Sequence, residues 1–122
     1  LLSVKPLLLF FRLPVIPDYA EHNAHLFYVL FCDEQARDRA MHTLKEQGVH
    51  AVFHYIPLHS APMGQRLGYS EGDLPVTEDL SGRLLRLPMY AGMREEELQF
   101  AVAEVRDILK ELSAGSKTSK AN

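Results

Sequence analysis

The sequence predicts an α+β domain of two layers, about three strands backed by two main helices, and three observations carry that expectation. His25 to Cys32 is an unbroken apolar run rich in aromatic and β-branched residues, as in a strand covered on both faces. A helical pattern and a second apolar run follow within about thirty residues, the spacing of a β-α-β unit. Leu98, Ala101, Val102, Val105, Ile108, Leu109 and Leu112 recur at helical spacing, giving one helix an apolar face for a core.

In chain order, Leu7 to Phe11 is strongly apolar but only five residues long, far below the ~20 needed to span a bilayer. Arg12-Leu13-Pro14 follows it where a signal peptide would need a small-residue cleavage site. Neither a membrane span nor secretion is expected, and a cytoplasmic setting is. Residues 13 to 24 contain Pro14 and Pro17, which remove backbone donors and disfavour helix in the residues before them, so this stretch is an extended lead-in.

The run 25–32 is the predicted central strand. Asp33 can cap the helix that follows, with Ala36, Ala40, Met41 and Leu44 inward and Glu34, Arg37, Asp38, Lys45 and Glu46 outward. Gly48 is placed to end it as a C′ residue. Residues 49–56 are the next predicted strand, stopped by Pro57.

Pro62, Gly64, Gly68, Gly72 and Pro75 make the following stretch a long loop with room for one helical turn near Met63 to Leu67. Thr77 can cap a short helix through about Arg83, with Glu78 and Asp79 in its first turn. Leu84 to Tyr90 reads as a strand closed by Pro88. The last helix is expected from about Arg94 to Leu112, acidic at its start and with Lys110 at its end, the order the helix dipole favours. The tail, residues 113–122, has no apolar anchor and is expected to be disordered.

Composition bounds the partners. The chain has 122 residues, enough for one domain, and a net charge of −3, with no basic excess for nucleic acid or an anionic membrane. Its single cysteine, Cys32, cannot form an internal disulfide and ends an apolar run, where a thiol is expected to behave as a small hydrophobe. A nucleophilic role for it would need an electropositive, partly exposed setting.

Functional groups concentrate in His50-Ala-Val-Phe-His54-Tyr55-Ile-Pro57-Leu-His59. Six histidines in the chain raise a metal reading, through His22 with His25, His50 with His54, or His54 with His59. Zinc wants three or four ligands at about 2 Å, whereas His50 and His54 on one strand would lie about 13 Å apart; no metal site is expected. No Gly-rich phosphate loop, Ser-containing nucleophile elbow or Glu-x-x-His metal motif occurs. His54 and Tyr55 read either as satisfied polar groups at a sheet edge or as binding groups held rigid by Pro57.

Leu13-Pro-Val-Ile-Pro-Asp18, His25-Leu-Phe-Tyr-Val29, Gly48 to His59 and Leu84-Leu-Arg-Leu-Pro-Met-Tyr90, in that order, resemble the C-terminal part of the DegT/StrS-type sugar aminotransferases. The resemblance covers residues 13–112 and implies the small domain of a fold-type I aminotransferase. It implies an enzyme that uses pyridoxal phosphate (PLP) on a lysine of a separate large domain, works as a homodimer and moves an amino group from glutamate to C4 of a nucleotide-linked keto sugar.

On that resemblance His54, Tyr55 and, more weakly, His59 border the nucleotide-sugar pocket. No catalytic or cofactor-binding residue is expected here, because the lysine motif belongs to the missing large domain, and the chain alone is expected to be inactive. Residues 1–12 depart from the family pattern, as a frame change, a truncation or a fragment would make them. The alternatives are a stand-alone ligand-binding module and a structural or interaction domain.

Overall fold

The computed structural model describes residues 11–118. Four strands, β1 (Phe11–Arg12), β2 (Phe27–Phe31), β3 (Val52–Phe53) and β4 (Leu84–Leu87), form one sheet in the order β1-β2-β4-β3. Four helices complete the described residues: α1 (Glu34–Glu46), α2 (Pro62–Arg66), α3 (Pro75–Arg83) and α4 (Glu95–Thr118). The α+β expectation holds, with one strand more than predicted, because Phe11 and Arg12 pair with Phe31 and Leu30.

The β-α-β expectation holds, in split form. β2 and β3 share the sheet but do not touch. β4 runs antiparallel to both, placing Leu85 opposite Val29 and Phe53 and Arg86 opposite Tyr28 and Val52. The parallel strands of the unit are therefore split by a strand that arrives later in the chain.

α1 begins and ends as its sequence predicts. The Asp33 side chain accepts a hydrogen bond from Ala36 N at 2.7 Å. At the other end Gly48 has φ +82°, Gly48 N donates to Lys45 O (3.1 Å) and Val49 N to Leu44 O (2.8 Å), which is a Schellman close. Val49 is thereby spent on the helix end, and Ala51 N bonds back to Val49 O. The strand expected over 49–56 shrinks to two residues for that reason, and because Tyr55 turns to φ +27°.

α3 starts two residues before Thr77, with Pro75 in its first turn and no side-chain cap; proline's fixed φ suits that position. Helix α4 passes Leu112 and runs to Thr118, so residues 113–118 are helical rather than a disordered tail. Ser113 donates to Lys110 O at 2.7 Å, continuing the turn. Residues 1–10 and 119–122 of the two expected terminal segments lie outside the described residues.

The core lies between the sheet and the two long helices. Val29, Phe31 and Leu85 of the sheet meet Ala36, Ala40 and Leu44 of α1 and Ala101, Val105, Ile108 and Leu109 of α4. Leu98 and Val102, expected inward on α4, remain partly exposed at 42% and 38%, because no described element covers that end of the helix. Arg37, expected outward, is buried. Its guanidinium lies 5.8 Å from the Phe53 ring centroid and pairs with Glu34 (3.2 Å) and Asp38 (3.0 Å). Cys32 is exposed rather than buried, since it follows the last residue of β2.

Candidate functional site

The chain leaving β3 makes a tight, heavily braced loop. The Pro57 carbonyl accepts from Ser60 N (3.2 Å), Ala61 N (3.1 Å) and Ser60 Oγ (3.1 Å). Gly64 of α2 presses on this turn so closely that a Cβ there would overlap the carbonyl oxygens of Leu58 and His59. The loop is thus held from beneath by backbone, and only glycine permits that approach.

Tyr55 is 70% exposed. Its ring packs edge-on to His54 at 5.3 Å between centroids, and the Arg86 guanidinium sits 5.1 Å from its centroid. A positive φ in a bulky residue is strained, and here it swings the phenol out while His54 stays half-buried behind it. His54 Nδ1 is buried with no partner among the described residues. His59 goes the other way: it is buried, with Nε2 2.6 Å from Glu78 Oε1. The same carboxylate oxygen accepts from Gly72 N at 2.8 Å. The His59 hydrogen bond, then that of Gly72, holds the Glu78 carboxyl below its ordinary range.

An open depression of about 570 Å³ lies beside the loop, between α1 and α3, with Arg37, Asp38, Phe53, Tyr55, Pro57 and Glu78 among its walls. Of the three residues picked from the sequence, Tyr55 alone lines it. His54 backs Tyr55, and His59 is committed to Glu78, so the structure brings the first two together and separates the third. Sequence reasoning passed over Glu78, taken as a helix-start acid; Arg37, taken as an outward charge; and Arg86, one polar residue in a short apolar strand. None of the three carries a motif that could have marked it.

Among the described residues no group of three or more His, Cys, Asp or Glu could hold a metal ion. Partial burial and the neighbouring Asp33 carboxylate push the Cys32 thiol up, which keeps it in the un-nucleophilic form.

The model of the DegT/DnrJ/EryC1/StrS aminotransferase family matches residues 6–106. The chain belongs to that family. It is 33% identical over 99 residues to the pleiotropic regulatory protein of Geobacillus stearothermophilus, covering 80% of this chain and 27% of that one. It is 31% identical over 100 residues to the dTDP-3-amino-3,4,6-trideoxy-alpha-D-glucose transaminase of Micromonospora megalomicea, covering 80% and 26%.

Among solved structures, the aminotransferase TlmJ of Streptoalloteichus hindustanus superposes with a TM-score of 0.73 at 26% identity, over 90% of this chain and 30% of that one. The chain therefore spans about a quarter of the length of the relatives it matches, and its fold is that of a part of an aminotransferase. Among the described residues no helix is long and apolar enough to cross a membrane.

Proposed function

We propose that this chain is the small C-terminal domain of a nucleotide-sugar aminotransferase, and that its 54–59 loop forms one wall of the sugar-nucleotide pocket. The reaction of the whole enzyme is PLP-dependent transfer of an amino group from glutamate to C4 of a dTDP-4-keto-6-deoxyhexose, performed in the cytoplasm by a homodimer. Within the family, the resemblance of the Gly48 to His59 and Leu84 to Tyr90 stretches makes dTDP-4-amino-4,6-dideoxygalactose transaminase of enterobacterial common antigen synthesis the member we propose.

The observation that carries this reading is the family match over residues 6–106 joined to a loop that holds an exposed phenol at the edge of an open depression. Phenol and imidazole can hydrogen-bond sugar hydroxyls or stack on a sugar face. Val15, Leu58, Val76 and Phe100 face solvent, and docking on a larger domain would cover such side chains.

PLP chemistry needs a lysine that can form a Schiff base on a cavity wall. Lys45 is exposed on α1 and Lys110 is paired with Asp107 at 2.7 Å; neither stands on a cavity wall. They do not fit the cofactor, and the chain has no catalytic residue of its own among the described residues. His54 and Tyr55 are the proposed substrate contacts. His59 acts from behind, by fixing the loop through Glu78.

The test has two arms. Mixing the chain with PLP and reducing with borohydride is expected to leave no stoichiometric lysine adduct by mass spectrometry and no glutamate turnover. Titrating it with a stable dTDP-sugar is expected to shift the NMR signals of Tyr55 and His54. A stoichiometric adduct with turnover would overturn the inactive-alone reading. A dTDP-sugar that perturbs residues elsewhere and leaves Tyr55 and His54 unmoved would overturn the pocket assignment.

A further inference from the structure

A second cavity, of about 380 Å³, opens beyond β4 and is lined by His25, His50, Val52, Arg86, Met89 and Tyr90 among others. Its chemistry differs from that of the depression under the loop. That one counts Glu34, Asp38, Glu71 and Glu78 among its walls; this one is lined by no carboxylate. Two imidazoles and a guanidinium stand against apolar walls in a chain whose net charge is −3.

Arg86 is the telling residue. It is half-buried on β4, and its Nε is buried without a hydrogen-bond partner. No ion pair among the described residues involves it. Its one charge contact is with the face of Tyr55, 5.1 Å away. Arg37 and Arg83 share a buried Nε without a hydrogen-bond partner, but each has an ion pair, Arg37 with Glu34 and Asp38 and Arg83 with Asp79, so it is the missing ion pair that sets Arg86 apart. The Arg86 guanidinium has no paired anion among the described residues, and its planar fork matches the oxygens of a phosphoryl group.

The neighbouring groups have capacity for such a ligand. His25 Nδ1 lies 2.6 Å from Asn23 Oδ1; an amide oxygen accepts, so Nδ1 donates there, and Nε2 can donate to an anion only when the ring is protonated. His50 is exposed at the cavity mouth. The Tyr90 phenol is engaged by the Glu97 carboxylate, which Arg94 also holds through its backbone N at 2.9 Å and its guanidinium at 3.1 Å, so Tyr90 stands outside the donor set.

We propose that this cavity is an anion site that takes a phosphoryl group, with Arg86 as its principal ligand and His25 and His50, as imidazolium donors, completing the set. The assignment is independent of the aminotransferase reading, because it rests on an unpartnered guanidinium and a wall without carboxylates. It also makes Arg86 a link: one side of its side chain faces the anion and the other carries the Tyr55 ring.

The experiment is an NMR titration of the whole chain with inorganic phosphate, pyrophosphate and thymidine diphosphate in turn, on the parent and on Arg86→Gln, Arg86→Lys and His50→Gln. The expected result is saturable shifts of the His25 and His50 ring signals and the Arg86 guanidinium. Arg86→Gln is expected to weaken binding about ten- to a hundredfold, the usual range for a charge-assisted hydrogen bond, and Arg86→Lys to weaken it less. Thymidine diphosphate binding above pyrophosphate would assign the apolar wall to a nucleoside, and equal affinities would assign the site to the phosphoryl group alone; both support the site. An absence of saturable shifts at these residues overturns it, as does unaltered affinity in Arg86→Gln with an unchanged circular dichroism spectrum. If Arg86→Gln does not fold, parent affinity in both Arg86→Lys and His50→Gln overturns it as well.

Discussion

His59 Nε2 lies 2.6 Å from Glu78 Oε1, and Gly72 N reaches the same oxygen at 2.8 Å. One carboxylate thereby ties the 57–60 turn, helix α3 and the loop before it into a single clasp, although the histidine and the glutamate are 19 residues apart in sequence. The turn that presents Tyr55 is fixed from its far end by a buried side chain.

His59→Ala should therefore cost about 1–3 kcal/mol, the range for removing one partner of a buried hydrogen bond, measured by urea denaturation. Amide exchange should speed up in residues 57–60 and at Gly72 together. Faster exchange at only one of those places would show that the clasp does not join them.

The clasp also sets a pH dependence. Hydrogen bonds from His59 and Gly72 depress the Glu78 carboxyl in the folded state, so the unfolded chain binds a proton here at higher pH than the native one. The stabilisation is fully present above the ordinary glutamate value of 4.5 and is lost as pH falls through the lower folded value. Thermal melts should show a steeper acid loss of stability in the parent than in Glu78→Gln, which has no carboxyl to titrate. Parallel profiles below that pH would dismiss Glu78 as a contributor.

Gly64→Ala tests the backbone support of the same turn. Its Cβ would meet the carbonyl oxygens of Leu58 and His59, which are main chain and cannot rotate aside, so α2 or the turn must shift. A loss of about 1–3 kcal/mol is expected, the cost of forcing bulk into a packed site, with faster amide exchange at Ser60 and Ala61. Gly68→Ala, where a Cβ meets open space but φ is +93°, should cost less, about 1 kcal/mol from backbone strain alone. Equal costs would mean that packing on the turn contributes nothing.

Periodicity made the helices and the core legible from sequence. Asp33 and Gly48 bracketed α1 because capping is local chemistry, and the 3.6-residue rhythm of Ala101, Val105, Ile108 and Leu109 marked the buried face of α4. What sequence could not show was non-local. β4 enters between β2 and β3 from more than thirty residues down the chain, so the split of the β-α-β unit leaves no local trace.

Arg37 sat at a position whose neighbours are charged, and only the arrival of Phe53 on β3 turned it inward. His59 carried the same polar label as His54. Its burial depends on Glu78, a residue that local reading assigned to a helix start.

Tyr55 separates stability from function most directly. At φ +27° its backbone is in a region that L side chains occupy at a cost, of order 1–3 kcal/mol for such strain, whereas glycine tolerates it freely. The ring recovers part of that cost through Arg86 and His54, but at 70% exposure it buries little surface. Tyr55→Gly should leave the midpoint of urea denaturation unchanged or raised, since strain relief offsets the lost cation–π contact of about 0.5–1 kcal/mol. A ligand that uses the phenol should bind more weakly in the same variant, and Tyr55→Phe should restore stacking but not a hydroxyl hydrogen bond. A fall of several kcal/mol in stability for Tyr55→Gly would make the residue a structural anchor. Unchanged stability with lost binding of a dTDP-sugar is the outcome that strain held for a ligand predicts.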